Sequence, residues 1–277
     1  MNLLQALILG IVEGLTEFLP VSSTGHLTIV EKLFGLKIDN PGVTAFTAII
    51  QVGAIVAVFV YFRRDIVRLI AAWVRGLRNR TERTSDYRLA WFVIIGSIPI
   101  GLVGFAAKDL ISGSLRNLWI VVATLVLWSI VMFVAERVAQ QTRSEERMTL
   151  KAAVIIGLLQ CAALIPGVSR SGATISGGLF LGFTRVAATR ISFFLSIPAL
   201  TAAGIYEAST QASAVGSSVG WGATLLATVV SFIVAYGSIA WLLRFVAKHP
   251  ITIFIGYRLL VAAVVAIFLI TGVITAT

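Results

Sequence analysis

Six apolar stretches, each about as long as a bilayer is thick, constrain this chain more than any other feature. A helix needs about 20 apolar residues to cross about 30 Å of hydrocarbon, because each residue adds about 1.5 Å. The stretches lie at roughly 43–62, 89–107, 117–135, 191–206, 221–243 and 251–275. The sequence therefore predicts an all-α polytopic membrane protein with six transmembrane helices, folded as a single transmembrane domain over residues 1–277.

The composition and charge agree with this class. Hydrophobic residues make up 58% of the chain and charged residues 12%, whereas about a quarter of an ordinary soluble domain is charged. The formal net charge of +10 would suggest nucleic acid in a soluble protein, but here the cations lie between apolar stretches. Such cations set membrane topology. We therefore expect the lipid bilayer as a partner and no nucleic acid.

Arginines mark one loop as cytoplasmic. The segment 63–88 carries eight arginines and three acidic residues, and basic loops are retained in the cytoplasm. Alternation then places the other basic segments, at about 137–151, 185–190 and 244–248, on the same side.

Two further apolar stretches are interrupted. Residues 3–35 are broken at Pro20 by PVSSTGH, and residues 152–184 are broken at Pro166 by PGVSRSG. Each half is short for a crossing. We predict two re-entrant helical hairpins, which a membrane tolerates only where protein or water satisfies the exposed backbone.

The two interrupted stretches match each other at an offset of 147 residues, which predicts an internal duplication. The matched pairs are Gly10 with Gly157, Glu13 with Gln160, Ser22 with Ser169, Thr24 with Ser171 and Gly25 with Gly172. The first repeat covers about 1–135 and the second about 152–275. Each repeat has three spans after its hairpin, and three is odd, so the repeats are inverted and their turns meet near the midplane.

Both turns have the chemistry of an anion site. A helix begins just after each break, so backbone N–H groups and the positive end of the helix dipole point inwards. Hydroxyl side chains lie at both turns: Ser22, Ser23, Thr24, Ser169 and Ser171. They are donors to phosphate oxygens, or alternatively they only cap the helices. Arg170 could bind phosphate with two hydrogen bonds, or alternatively reach along its helix to the interface.

Three more ionisable residues lie in the first hairpin. Glu13 and Glu17 share one helix face and could hold a divalent cation or supply a general base. The alternative is a polar stripe that faces water. His26 could be a base, a nucleophile or a proton donor, or it could be structural. Elsewhere, Gln51 could line a cavity, while we interpret Arg258 as an arginine that reaches the inner end of its helix.

At these residues the chain resembles a known family. The segments EGLTEFLPVSSTGH at 13–26 and PGVSRSGAT at 166–174 resemble the ExxxE and PGxSRSxxT motifs of the undecaprenyl-diphosphatase family, also called bacitracin-resistance proteins. The similarity extends over essentially the whole chain. It implies hydrolysis of undecaprenyl diphosphate, a polyprenyl diphosphate lipid, to undecaprenyl phosphate and inorganic phosphate. It also implies a bacterial cytoplasmic membrane protein whose active site opens to the external, periplasmic face.

The resemblance also implies roles for individual residues. Glu13 and Glu17 would bind Mg²⁺ or Ca²⁺, or one of them would activate a nucleophile. Ser23 or His26 would attack the terminal phosphorus or help a water to do so. The remaining motif residues would hold the diphosphate: Ser22, Thr24, Ser169, Arg170, Ser171 and Thr174.

Two questions stay open at this point. Inverted repeats with broken helices are also a transporter architecture, so a transporter or flippase of a phosphate-bearing lipid or anion is the alternative function. The glutamate pair favours metal-assisted hydrolysis, because an anion carrier has less need of two carboxylates beside its anion. Glycine-rich spans would permit close helix packing and a homodimer.

Overall fold

The structure, a computed structural model, describes residues 1–36 and 40–276, and regular structure in these ranges is helical. The helices are α1 (Leu3–Thr16), α2 (Ser23–Leu33), α3 (Pro41–Tyr61), α4 (Arg63–Arg78), α5 (Ser85–Ala106), α6 (Lys108–Ser112), α7 (Leu118–Val138), α8 (Leu150–Cys161), α9 (Arg170–Phe180), α10 (Arg185–Ser218), α11 (Trp221–Val246) and α12 (Thr252–Ile270).

Six helices in the described ranges are long and apolar enough to cross a membrane. They lie in α3, α5, α7, α10, α11 and α12, which confirms the predicted polytopic all-α class. The fourth span begins earlier than expected, because Thr184 accepts a hydrogen bond from the amide of Ala187 and thereby caps the start of α10.

The basic segment after α3 is a helix rather than a loop. In α4, Leu69, Ala72 and Gly76 are buried on one face, and this face packs against α5. All five arginines of the helix are exposed, so that they remain in contact with water. This amphipathic helix is hard to see in the sequence because eight arginines in the segment 63–88 obscure its apolar periodicity.

Ion pairs draw the basic segments to one end of the molecule. Arg190 on α10 contacts Asp65 on α4 at 3.1 Å and Glu145, before α8, at 2.6 Å. Arg185 pairs with Glu136 at the end of α7. We call this the basic end. Three of the basic segments therefore lie together, as expected if they are retained on one side of the membrane. Which side this is stays a prediction.

Both interrupted stretches are broken helices, as expected. The chain leaves α1 at Thr16 and begins α2 at Ser23, and it leaves α8 at Cys161 and begins α9 at Arg170. Helix α1 packs against α11, and α8 packs against α5. The matched glycines make both contacts close, since a Cβ at Gly10 would lie 2.5 Å from the Ala227 carbonyl, and one at Gly157 would overlap the Gly96 carbonyl. Re-entry into a membrane and the repeat itself stay predictions.

The two broken helix pairs come from opposite ends of the protein. The second pair ends beside the basic end, where Arg143 donates a hydrogen bond to the Leu181 carbonyl. Helix α12 starts at the basic end, since the Ile251 amide donates to Glu136, and it runs to the far end, where Lys32 of the first pair donates to Thr275. The two turns therefore meet inside the molecule.

Candidate active site

The second helix of each pair begins at a serine with an unusual backbone conformation. Ser22 has φ 76° and Ser169 has φ 78°, and non-glycine residues rarely adopt positive φ. Each hydroxyl accepts a hydrogen bond from a glycine amide three residues later, Gly25 at 3.4 Å and Gly172 at 3.1 Å. Strain of this kind persists where the surroundings fix it, and it concentrates at functional sites.

The two turns contact each other directly. The Ser22 hydroxyl accepts a second hydrogen bond from the amide of Gly167 at 3.1 Å, and the Ser171 hydroxyl donates to the Leu19 carbonyl at 2.8 Å. All four residues belong to the interrupted segments. The turns are therefore held against each other by polar contacts inside the protein.

An ion pair spans the same junction. Arg170 Nη2 lies 3.2 Å from Glu17 Oε1, and the side chains are 10% and 4% exposed. Arg170 Nη1 donates to the Ser192 carbonyl, and the guanidinium lies over the ring of Phe18. Arg170 therefore points into the protein, which excludes the alternative that it reaches for the membrane interface.

Glu17 also organises a hydroxyl and an amide. Its Oε2 accepts hydrogen bonds from Ser23 Oγ at 2.7 Å and from Gln51 Nε2 at 3.3 Å. The carboxylate thus connects Ser23 of the first turn with Arg170 of the second. A hydroxyl beside a carboxylate is the arrangement of a nucleophile and its base, and Gln51 fixes the position of the carboxylate.

Glu13 supplies a buried oxygen without a partner. It lies one helical turn before Glu17 on α1, it is 1% exposed, and its Oε1 has no hydrogen bond among the described residues. An orphaned carboxylate oxygen beside a second carboxylate fits a divalent cation, which prefers oxygen ligands. The described chain has no cluster of three or more His, Cys, Asp or Glu side chains around a metal position. Hydroxyl or phosphate oxygens would therefore complete the coordination.

His26 uses both of its ring nitrogens inside the protein. Nδ1 lies 2.7 Å from the Ser22 carbonyl, and Nε2 lies 2.8 Å from the Tyr257 hydroxyl. A carbonyl only accepts, so Nδ1 carries the proton, and in the neutral ring Nε2 accepts from Tyr257. These contacts favour the structural alternative for His26. Sequence analysis missed Tyr257, which stands in an apolar span as an ordinary aromatic residue.

The other predicted substrate residues differ in accessibility. Thr24 is exposed, whereas Ser169, Ser171 and Thr174 are buried. Thr174 Oγ1 lies 2.9 Å from the Arg170 carbonyl and 2.6 Å from Ser192 Oγ. The three buried hydroxyls are therefore engaged in holding the second turn, and their contact with a diphosphate stays a prediction.

The interpretation of Arg258 was wrong. Its side chain is 0% exposed, so it does not reach the end of its helix. It donates to the Pro20 carbonyl of the first turn at 3.2 Å and to the Gly167 and Val168 carbonyls of the second at 3.0 and 3.3 Å. The broken turns expose carbonyls that no helix satisfies, and these attract the guanidinium inwards.

Comparisons with known proteins identify the family. Residues 6–264 match the sequence model of the family described as bacitracin resistance protein BacA. Undecaprenyl-diphosphatase 3 of Frankia casuarinae is 59% identical over 278 residues, which cover 100% of both chains. The undecaprenyl-diphosphatases of Acidothermus cellulolyticus and Cutibacterium acnes are 57% and 53% identical, again over 100% of both chains. Because these matches cover nearly the whole sequence, the chain belongs to the bacitracin resistance protein BacA family.

Proposed function

We propose that this protein is an undecaprenyl-diphosphatase, which hydrolyses undecaprenyl diphosphate to undecaprenyl phosphate and inorganic phosphate. The observation that carries the proposal is the connection of Ser23 to Arg170 through Glu17, in a chain whose full-length relatives are named for this activity. The reaction recycles the lipid carrier of cell-wall synthesis, and the family description connects it with bacitracin resistance.

Ser23 is the nucleophile of the proposed reaction. Its Oγ forms a bond to the terminal phosphorus while the bond from that phosphorus to the bridging oxygen breaks, and undecaprenyl phosphate leaves. Glu17, at 2.7 Å, accepts the serine proton. Water then attacks the phosphoserine as its Oγ–P bond breaks; Glu17 returns its proton to Ser23 Oγ, and the proton lost by the water leaves with the inorganic phosphate or to solvent. The internal contacts of both His26 nitrogens favour Ser23 over His26 in this role.

Arg170 binds the terminal phosphate in this proposal. In the free protein its partner is Glu17, and a doubly charged phosphate competes with that carboxylate for the guanidinium. Glu17 is then free to act as a base. Arg170 and the start of α9 also stabilise the charge that develops as the phosphoryl group is transferred.

Glu13 would hold Mg²⁺ or Ca²⁺ together with Oε1 of Glu17, the oxygen that Arg170 contacts in the free protein, while Oε2 of Glu17 serves Ser23. A bound cation spreads the negative charge of the diphosphate. The free oxygen of Glu13 supports this assignment, since a buried carboxylate oxygen without a partner is costly in an apolar protein.

The protein is a multi-pass bacterial membrane protein. We expect it in the cytoplasmic membrane with the basic end inside, so that the first helix pair enters from the external, periplasmic face. The lipid tail would then enter laterally between spans. A homodimer is compatible with the glycine-rich spans.

Phosphate release from undecaprenyl diphosphate tests the proposal against the transporter alternative, which the names of the relatives disfavour. Purified protein in detergent is assayed with Mg²⁺, with Ca²⁺ and with a chelator. We expect cation-dependent release that Ser23→Ala abolishes. An exposed hydroxyl variant, Thr81→Ala in the segment after α4, serves as the control with unchanged release. Folded protein that releases no phosphate but moves the lipid across vesicle membranes would contradict the proposal.

A further inference from the structure

Arg258 reaches the junction of the turns from a helix outside both broken pairs. Its guanidinium is fully buried on α12, and its five N–H groups have six acceptors within hydrogen-bond distance, so that one N–H of Nη2 is shared between two acceptors. Three acceptors are the turn carbonyls described above, and the other three lie on α7: Ser129 Oγ and the carbonyls of Thr124 and Leu125. Every donor nitrogen is therefore engaged by the protein, and Arg258 does not itself contact a substrate.

The charge of Arg258 has no carboxylate to neutralise it. Its acceptors are five carbonyls and one hydroxyl, and in residues 1–36 and 40–276 it belongs to none of the ion pairs within 4.0 Å. Arg170, which lies at the same junction, differs because it pairs with Glu17. The five carbonyl dipoles stabilise the buried guanidinium, but they carry no net charge, so the positive charge itself has no counter-ion. A bound anion would supply one.

Arg258 lies close to the place where an anion would bind. Pro20 and Gly167, whose carbonyls it binds, each precede a helix-capping serine by two residues. Two residues of chain span at most about 7 Å. The guanidinium therefore lies behind the N-termini of α2 and α9, where the helix dipoles are also positive.

We propose that Arg258 is a positioning residue for the diphosphate group, which it attracts by its unneutralised charge while its fork fixes the separation of the two turns. The inference rests on the proposed function only in naming the diphosphate of the lipid substrate as the anion. At about 10 Å and an effective dielectric constant of about 20, one charge changes the affinity for an anion about tenfold or more.

Three variants of the full-length protein separate charge from geometry. Arg258→Gln removes the charge, Arg258→Lys keeps the charge but loses the planar fork, and Arg244→Gln removes an exposed charge as the control. The affinity for inorganic diphosphate is measured with Mg²⁺ by its effect on thermal unfolding. Phosphate release from undecaprenyl diphosphate gives KM and kcat.

We expect Arg258→Gln to weaken diphosphate binding about tenfold or more and to raise KM by a similar factor. Arg258→Lys should bind diphosphate within about threefold of the unchanged protein, while its kcat falls because the turns are less well fixed. Arg244→Gln should leave all three quantities unchanged.

Folded Arg258→Gln with unchanged diphosphate affinity would overturn the inference. Should that variant fail to fold, Arg258→Lys decides, because a tenfold loss of affinity with the charge retained would also overturn it. The inference would also be overturned if the protein without any substitution bound no diphosphate. If diphosphate binds as expected but the lipid releases no phosphate, the proposed function fails and the role of Arg258 in anion binding stands.

Discussion

The two turns begin their helices in the same way but carry different chemistry. In both, a buried serine at positive φ caps the helix through a glycine amide. At the next position the first turn has Ser23 and the second has Arg170. One backbone device is thus used twice, once to present a hydroxyl and once to present a cation.

The helices that precede the two turns, α1 and α8, also carry different chemistry at matched positions. Glu13 of the first pair corresponds to Gln160 of the second, and both side chains are buried. Glu13 has a neighbouring carboxylate in Glu17, whereas neither amide atom of Gln160 has a hydrogen-bond partner among the described residues. In the proposed reaction the first half would bind the cation and activate the nucleophile, and the second half would neutralise the charge of the phosphate, so that neither half would suffice alone.

Among the variants that compare the two turns, removal of the Arg170 guanidinium from the second turn should have the largest effect. Arg170→Ala should lower kcat/KM for undecaprenyl diphosphate by about 10³-fold or more, as for other arginines that stabilise phosphoryl transfer. The measurement is phosphate release by folded variant protein. Arg143→Ala, at the basic end, is the matched control, and near-normal release by Arg170→Ala would refute the assignment.

Exchange of the matched acidic and amide residues should show that the halves are not equivalent. Glu13→Gln should lower turnover by about 10²-fold or more, because a cation ligand is worth several kcal/mol. Turnover measured across a Mg²⁺ titration checks this. Gln160→Glu in the same protein should not restore activity. It adds a buried carboxylate to α8, which has no second carboxylate to complete a cation site. Restoration by the double variant would contradict the division of roles.

Backbone shape should matter more in the second turn than in the first. Gly167 has φ 94°, and a Cβ there would overlap Thr124 Oγ1 and lie 2.7 Å from the Val121 carbonyl. Gly167→Ala should therefore destabilise the protein by about 3 kcal/mol, from backbone strain and overpacking together. Thermal unfolding in detergent measures this. Pro20→Ala, at the corresponding position of the first turn, should cost less than about 1 kcal/mol, and equal losses would show that the turns are alike.

The capping serines should show the smallest difference. Ser22 accepts hydrogen bonds from two amides, those of Gly25 and Gly167, whereas Ser169 accepts from one amide, that of Gly172, and its second contact is the hydroxyl of Ser171. Loss of a helix cap costs about 1 kcal/mol, and each further orphaned amide costs about 1 kcal/mol. Ser22→Ala should thus lower the unfolding free energy by about 2 kcal/mol and Ser169→Ala by about 1 kcal/mol. The reverse order would show that Ser22 does not join the turns.

Much of the fold and half of the site followed from local sequence. The spans are visible because their length and apolarity are fixed by the bilayer. The breaks at Pro20 and Pro166 are visible because proline, glycine and serine interrupt an apolar helix. Glu17 and Arg170 are conspicuous because charges within apolar segments require a partner or a function.

The remainder depends on contacts between distant parts of the chain. Tyr257 meets His26 across 231 residues, and Arg258 meets Pro20 across 238. No local pattern distinguishes Arg258 from an arginine that reaches a membrane interface. The clue available in the sequence was the number of carbonyls that two broken helices leave unsatisfied, since a buried guanidinium can satisfy several of them at once.

The ion pair between the turns is the contact on which the account depends most, and a double-mutant cycle on stability tests it directly. Glu17→Gln and Arg170→Gln are made singly and together, and thermal unfolding is followed in detergent. Each single variant leaves a buried charge without its partner, which costs about 3–5 kcal/mol. The account predicts that the double variant is more stable than either single variant. Losses that simply add would mean that Glu17 and Arg170 do not meet and that the two turns do not form one site.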